Sequence, residues 1–164
     1  MMSDSGRRTL FMVLFAIVFF QTGAHVSQAF VNYPAWPFIE KASFPDYHRV
    51  MTVGALRFLF VPRVVEVVLA IVVLLFPPRP VRRSLLGVAI CLALGGLMST
   101  VFIQRPIHVQ LETMGNTPEL LSRLRSTDWI RHILELLRVA LYLWMAWLVV
   151  NARRDTATRA GALP

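Results

Sequence analysis

Four apolar segments, separated by short polar or proline-rich stretches, make up most of this 164-residue chain. They cover residues 9–30, 48–76, 84–103 and 128–150, and each is long enough to cross a hydrocarbon layer of about 30 Å as a helix. Inside lipid, such a segment satisfies its backbone hydrogen bonds by itself only as a helix. The sequence therefore predicts an all-α protein. We expect a four-transmembrane-helix, up-down-up-down bundle that forms a single membrane domain over residues 1–164.

The composition agrees with this class. The chain is 56% hydrophobic and 16% charged, with a mean hydropathy of +0.59, which is typical of a polytopic membrane protein. Its net charge of +8 comes almost wholly from arginine, since Lys41 is the only lysine. The arginines flank the apolar segments, so we expect the lipid bilayer as the partner and no nucleic acid. The single Cys91 excludes an intrachain disulfide, and its apolar surroundings indicate a small packing residue.

The arginines also predict the orientation. The N-terminus, the turn at residues 77–83 and the tail after residue 150 are rich in arginine. The other two connections, residues 31–47 and 104–127, are mixed in charge. The positive-inside rule then places both termini in the cytoplasm and these two loops on the outer side. We expect a multi-pass protein of the bacterial inner membrane.

The first segment has an alternative interpretation as a cleavable secretory signal. Its apolar core, Leu10–Phe20, has a suitable length, and Ser27–Ala29 resembles a cleavage site. However, Gln21, His25 and Gln28 fall on one helical face, and this pattern favours a retained membrane span.

Several local features are predicted along the chain. The prolines of Asn32–Tyr47 exclude a regular helix, so this stretch is expected to be a loop lying on the mouth of the bundle. A kink is expected near Pro62, and Gly95–Gly96 would let a neighbouring helix approach closely. Thr117 could cap a short amphipathic helix, and the polar tail Asn151–Pro164 is expected to be frayed.

The polar residues are concentrated in one half of each segment. In an up-down bundle those halves are the end of the first segment, the start of the second, the end of the third and the start of the fourth. All four halves would then share the outer leaflet. The remaining halves are almost purely aliphatic, as in Val67–Phe76, Leu85–Leu94 and Ala140–Val150. The sequence thus predicts a polar layer beneath the outer face.

The fourth segment contributes most of the charge to this layer. Arg131, Glu135 and Arg138 have the spacing i, i+4 and i+7, so they share one helical face, and His132 lies beside it. Such a face must look into protein or a water-filled cavity. At a rise of about 1.5 Å per residue, Arg63 and Glu66 of the second segment reach a similar depth. We expect ion pairs between the two segments, with Glu66 and Glu135 bracketing Arg63 and Arg138.

Two functions are open for these ion pairs. Arg63, Glu66 and Arg138 could form a structural network that fixes helix register, or the floor of a polar pocket.

The four histidines, one in or beside each segment, all fall at the outer side: His25, His48, His108 and His132. His25, His48 and His108 on facing helices could bind copper, iron or zinc with a carboxylate, and two histidines could ligate haem. They could instead carry out general acid–base chemistry without a metal, or serve only as polar packing. No HxxxH or HExxH motif selects among these alternatives.

Four short motifs carry a resemblance to a known family. They are Thr22–Gln28 followed by Tyr33-Pro34, Tyr47–Arg49, Arg105–Leu111 and Asp128–Arg131. Together they resemble a family of small bacterial four-helix membrane proteins that includes anthrone oxygenase-like proteins. The resemblance covers about residues 10–150.

Two family patterns are matched in detail. Pro106, His108 and Leu111 match a Pro-x-polar-x-x-Leu element, and Trp129 with Arg131 matches a Trp-x-Arg start to the fourth helix. The position of His108 is often Asn in the oxygenase-like relatives, and this departure favours a ligand role here. The resemblance implies an oxidoreductase, or an oxygenase, that acts on a small lipophilic substrate.

On this hypothesis the site residues have separate roles. The histidines named above would bind a metal or move protons. Arg131 would hold an anionic substrate or oxyanion, and Glu135 would orient Arg131 or His132 as part of the catalytic group. The substrate itself would contact Gln28, Arg105 and Trp129.

Two alternatives remain open. The protein could be a non-enzymatic accessory protein that binds a small molecule, lipid or metal, or a bundle whose polar layer only sets register. A transport role would require a homo-oligomer, because four spans are few for a transporter.

Overall fold

The computed structural model describes the backbone of residues 2–161 and the side chains as far as Ala152. Every regular element in this part of the chain is helical. This finding confirms the predicted all-α class. The longest helical stretches have the length and composition of those in a multi-pass membrane protein. Four helical stretches are long and apolar enough to cross a membrane: Asp4–Phe38, Phe44–Leu75, Arg83–Met114 and Pro118–Ala152, here called the first to fourth spans.

The first span is longer than the sequence indicates. An α-helix over Asp4–Ser27 begins where the Ser3 Oγ accepts a hydrogen bond from the backbone N–H of Gly6 at 3.1 Å. A π turn, an α turn and a 3₁₀ turn then continue it: Gln28–Asn32, Tyr33–Ala35 and Trp36–Phe38.

Most of the predicted loop at residues 32–47 is therefore helical, and the break is confined to residues 39–43. The reason lies in the placement of the prolines. Pro34 and Pro37 each stand in the first positions of a new helical turn. At those positions a missing N–H costs little.

The second and third spans have the same internal plan. The second is α-helical over Phe44–Ala55 and Val61–Leu75, with a π turn at Leu56–Phe60 between them. The third is α-helical over Arg83–Ser99 and Arg105–Met114, with a π turn at Thr100–Gln104. Residues 105–114, expected in a loop, thus extend the third span.

The fourth span belongs to one α-helix, Pro118–Gly161. Thr117 caps it as predicted, since its Oγ1 accepts from the Leu120 N–H at 3.4 Å. The expected short amphipathic helix is continuous with the span instead of separate from it. The helix also includes residues 151–161 of the tail that was expected to be frayed, while residues 162–164 lie outside the described part.

Each of the three π turns is followed by an X-Pro pair. The residue before the proline donates its N–H to the carbonyl five positions earlier, which widens the helix at that point. One of these changes of helix type lies beside Pro62, where a kink was predicted. The three pairs are Tyr33 to Gln28, Val61 to Leu56 and Arg105 to Thr100.

The spans pack around two buried apolar clusters with a polar layer between them. The first cluster joins residues 11–18 and 70–73 with residues 81–89 and 142–149. The second is made by the following residues: Tyr33, Trp36, Phe44, Ile107, Leu111, Leu120, Leu121 and Leu124.

Two further predictions concern helix packing. Gly95 gives the close approach that was expected, because an added Cβ would lie 3.3 Å from the side chain of Leu134. Cys91 is exposed and is not the packing residue that was expected, since it faces away from the other spans.

Candidate ligand-binding cavity

A cavity of about 450 Å³ lies in the polar layer, with walls from all four spans. Its size is in the range of small-molecule sites. Most of the predicted site residues meet here. Those that line the cavity are His25, Gln28, His48, Arg63, Arg105, His108, Arg131 and Glu135.

The floor of the cavity is a cluster of four buried charges. Glu66 accepts from Arg63 at 2.9 Å and from Arg138 at 2.7 Å, and Glu135 contacts both arginines as well. These are the ion pairs that depth counting predicted between the second and fourth spans. Two cations and two anions balance within the cluster, and this balance makes burial of the charges tolerable.

This cluster connects the cavity to the core. Arg63 and Glu135 reach the cavity wall, whereas Glu66 and Arg138 lie behind it. Thr22 of the first span donates to the Glu135 Oε2 at 3.1 Å. Three spans are thereby tied together beneath the cavity.

Arg131 is held by a neighbour on its own helix. Its Nε donates to the Asp128 Oδ1 at 2.7 Å, and a second N–H contacts the same oxygen. Asp128 also lies 3.2 Å from the His132 Nε2. Asp128 therefore orients both side chains, a role that the sequence had led us to expect of Glu135.

The remaining contacts of Arg131 are weak. It approaches the Thr100 Oγ1 at 3.5 Å and the Tyr33 hydroxyl at 3.4 Å, both at the long limit of hydrogen bonding. All three side chains line the cavity. The guanidinium thus keeps N–H donors for a molecule inside it.

A hydrogen-bonded histidine pair stands at another part of the wall. The His48 Nε2 and the His108 Nδ1 are 2.9 Å apart. On its other side, the His48 Nδ1 lies 3.5 Å from Glu112, a partly exposed carboxylate that also accepts from Thr52 at 3.2 Å. This chain of polar groups can carry a proton between the cavity and the protein surface.

The described residues do not form a three-ligand site of the kind predicted for a metal ion, and haem ligation by two histidines stays a prediction. Within the described residues, no group of three or more His, Cys, Asp or Glu is placed to hold a metal ion. The Nε2 of His48 and the Nδ1 of His108 are instead hydrogen-bonded to each other at 2.9 Å. His25 lines the same cavity from the first span but does not join them in a metal site.

Besides Glu66 and Arg138, two predicted site residues, Trp129 and His132, do not line the cavity. Trp129 is 57% exposed, and His132 packs against its ring at a centroid distance of 5.6 Å. Each residue turns an α-helix by about 100°, so side chains one or two positions from Arg131 point elsewhere. Trp129 is therefore not in contact with the cavity contents, and His132 lies among Asp128, Trp129 and Phe30.

Gln28 and Arg105 do line the cavity, as expected of substrate contacts. The Gln28 Oε1 already accepts from Asn32 at 2.7 Å. Arg105 is exposed and makes no ion pair with any described residue. It therefore adds an uncompensated positive charge to the wall.

Trp36 and Gln104 were not predicted as site residues. Both line the cavity at 1% exposure. Within the described part of the chain, the Trp36 Nε1–H and the Gln104 Oε1 have no hydrogen-bond partner. Buried polar atoms are rarely left without a partner, and these two belong to the cavity wall, where a bound molecule or water can supply one. Their position close to Pro34 and Pro106 is the sequence signal that could have identified them.

The segment that contains Trp36 is held over the cavity by the connection between the third and fourth spans. The Asn116 side-chain amide donates to the carbonyls of Trp36 and Ile39, each at 2.8 Å. The Trp36 ring in turn packs edge-on against His48 and His108, at centroid distances of 5.2 and 6.0 Å.

Comparison of the chain with protein-family models, curated proteins and solved structures finds no match.

Proposed function

We propose that this protein binds a small lipophilic molecule with an acidic or carbonyl head inside the bilayer. The observation that carries the proposal is the cavity of about 450 Å³ at which polar groups from all four spans meet. Two of the buried side chains in its wall, Trp36 and Gln104, each have an unused polar atom.

The donors in the wall favour an oxygen-bearing head. Arg131 has N–H groups to spare, Trp36 offers an indole N–H, and Arg105 contributes a positive charge. The Oε1 of Gln104 can accept from a ligand hydroxyl. A carboxylate, a phenol or a carbonyl beside a hydroxyl satisfies this set, whereas a cationic head does not.

The proposal includes an up-down-up-down arrangement with both termini in the cytoplasm of a bacterial cell. The two apolar clusters support it, because the start of the first span packs with the end of the second and the start of the third. The arginine-rich ends then face the cytoplasm under the positive-inside rule. The cavity lies in the outer leaflet of the inner membrane.

Native mass spectrometry of protein purified in lipid nanodiscs tests the binding function. We expect a retained molecule at a one-to-one ratio with the wild type and its loss in Arg131→Ala. Trp129→Ala is the matched control, since it is on the same helix but outside the cavity, and it should keep the molecule. Protein that is empty in every preparation, and that takes up no added fatty acid or phenol, would contradict the proposal.

A second candidate is an oxidoreductase of the oxygenase type. His25 and His108 share the cavity with Arg131, which places bases and a cation around one bound molecule. A histidine can take a proton from a carbon beside a carbonyl while Arg131 stabilises the resulting oxyanion. The His48–Glu112 contact gives that proton a path to the surface.

Anthrone is the probe for this activity, because the sequence resembles anthrone oxygenase-like proteins. In the balanced reaction, anthrone and dioxygen give anthraquinone and water, and dioxygen is the oxidant. We expect oxygen uptake equal to anthraquinone formed, above the uncatalysed rate, and its loss in His108→Ala. Rates equal to protein-free vesicles would exclude anthrone oxygenation and leave the binding function in place.

A further inference from the structure

The second and third spans separate where they pass the cavity. They pack against each other on one side of it through Phe44–Ala55 and Arg105–Met114. On the other side they pack through Val61–Leu75 and Arg83–Ser99. The π turns between these contacts, Leu56–Phe60 and Thr100–Gln104, are not packed against one another in the same way. A gap therefore lies at the level of the cavity.

The rim of this gap is apolar and open to the outside of the bundle. Three side chains of the second span line the cavity and are also exposed: Val53 at 47%, Leu56 at 55% and Phe60 at 39%. Leu97 and Val101 line the cavity from the third span and are partly exposed. In a membrane, side chains exposed at this depth contact lipid acyl chains.

The opposite side of the cavity is polar. His25 stands on the first span, and Arg131 and Glu135 on the fourth. The cavity is thus divided into a polar wall inside the bundle and an apolar opening toward lipid. A compact polar ligand would leave the opening unfilled, and a purely apolar ligand would leave the arginine unsatisfied.

The backbone at the gap can face lipid because its polar groups have partners. In each π turn the N–H before the proline bonds the carbonyl five residues back. The Gln21 amide donates to the Leu59 carbonyl at 2.9 Å, and the Thr100 hydroxyl to the Gly96 carbonyl at 2.9 Å. Such satisfaction is what non-standard backbone needs at membrane depth.

We infer that the ligand is an amphiphile bound with its head inward. The head lies against Arg131 and Trp36, and the apolar tail passes between the second and third spans into the acyl-chain region of the bilayer. This inference rests on the proposed binding function and names its ligand class. When no other ligand is bound, an acyl chain of a neighbouring lipid fills the gap.

Trp36 fluorescence tests whether acyl chains enter the cavity between the second and third spans. The chain has four tryptophans, so replacing Trp129, Trp144 and Trp147 by Phe leaves Trp36 alone. This variant is reconstituted in bilayers of phospholipid with brominated acyl chains, and iodide is the quencher added to the water. We expect the brominated chains to quench Trp36, which is buried and reachable through the cavity, and iodide to have little effect.

Paired substitutions at the rim make the test specific. Val53→Phe should lower quenching by the brominated chains, and Phe60→Ala should raise it. Val50→Phe and Phe58→Ala are the matched controls, since both positions are exposed on the same span but do not line the cavity. Neither control should change the quenching.

Quenching by iodide alone would show that the tail does not pass between the second and third spans. Rim variants with the same quenching as their controls would show the same. If native spectra still show a retained molecule in that case, the binding function stands and only the route is wrong. If no molecule is retained and added amphiphiles do not bind, the binding function itself is contradicted.

Discussion

Charge balance is the main constraint on single residues in this protein. Arg63, Glu66, Glu135 and Arg138 are all buried, and each carboxylate contacts both guanidinium groups. Removing one partner from such a cluster leaves a charge without compensation in a medium that solvates it poorly. The cluster should therefore be sensitive to single changes and more tolerant of paired ones.

Glu66→Ala tests this sensitivity. It leaves two arginines against one carboxylate, and we expect it to lower the free energy of unfolding by about 3–5 kcal/mol. Unfolding in mixed detergent micelles measures the change.

Asp46→Ala is the control for Glu66→Ala, because it breaks the exposed pair with Arg49 and should alter stability by less than about 1 kcal/mol. The double variant Glu66→Leu, Arg138→Leu keeps one balanced pair and should lose less stability than Glu66→Ala. A Glu66→Ala protein as stable as the Asp46→Ala control would contradict the stabilising role of the cluster.

The residues of this cluster could be predicted from the sequence, because in a helix the position of a residue determines its depth in the membrane and the face on which it lies. Arg131, by contrast, was identified correctly as a cavity residue, but its partner was not. Asp128 holds it, one turn earlier on the same helix, and Glu135 is engaged by the arginines below. Which carboxylate an arginine selects depends on side-chain rotamers, and spacing alone does not determine those.

At the scale of elements, the π turns give the cavity its form. All three stand directly before an X-Pro pair, at Pro34, Pro62 and Pro106, and residues of all three line the cavity. A π turn contains one residue more than the α-helical path would need. It therefore rotates the following part of the helix by about 100° relative to that path.

Pro106→Ala tests the importance of this geometry. The substitution restores a backbone N–H, and we expect Thr100–Gln104 to return to α-helical bonding. Gln104 and Thr100 would then leave the cavity wall, so ligand retention in native mass spectra should fall while the protein remains folded.

Pro118→Ala serves as the control for Pro106→Ala, since Pro118 only begins the fourth helix and lies outside the cavity. Retention that is equal in both variants would show that the π turn of the third span does not shape the site.

The sequence indicated where the prolines are but not what they do to the chain. Prolines in residues 32–47 predicted a loop, and the chain instead changes helix type and continues to Phe38. The choice between ending a helix and widening it depends on whether neighbouring spans bury that turn. Here Trp36 is buried against Phe44 and the two histidines, which favours continuation.

For the whole molecule, the length of the apolar segments and the position of the polar residues within them were enough to predict four helices that could cross a membrane. They also predicted that hydrophilic groups would gather in one layer. They could not predict the cavity volume or the gap between the second and third spans, because both arise from how the widened helices pack.

Cysteine labelling tests the proposed orientation. In a Cys91→Ala background, single Ser5→Cys, Ser84→Cys and Ser122→Cys variants all place a thiol at an exposed position near the end of a span. With intact cells, we expect a membrane-impermeant maleimide to label only Ser122→Cys. With inverted vesicles it should label the other two. Labelling of Ser5→Cys and Ser122→Cys from the same side would contradict the up-down arrangement.

Side chains from all four spans face one cavity, and we propose that this cavity holds an amphiphile. A crystal structure of the protein grown in a lipidic mesophase measures this directly. We expect His25, His108 and Arg131 around a shared cavity, with non-protein density that touches Arg131 and Trp36 and extends between the second and third spans. Side chains of these residues directed into lipid, or an interior closed by packing with no room for a ligand, would contradict it.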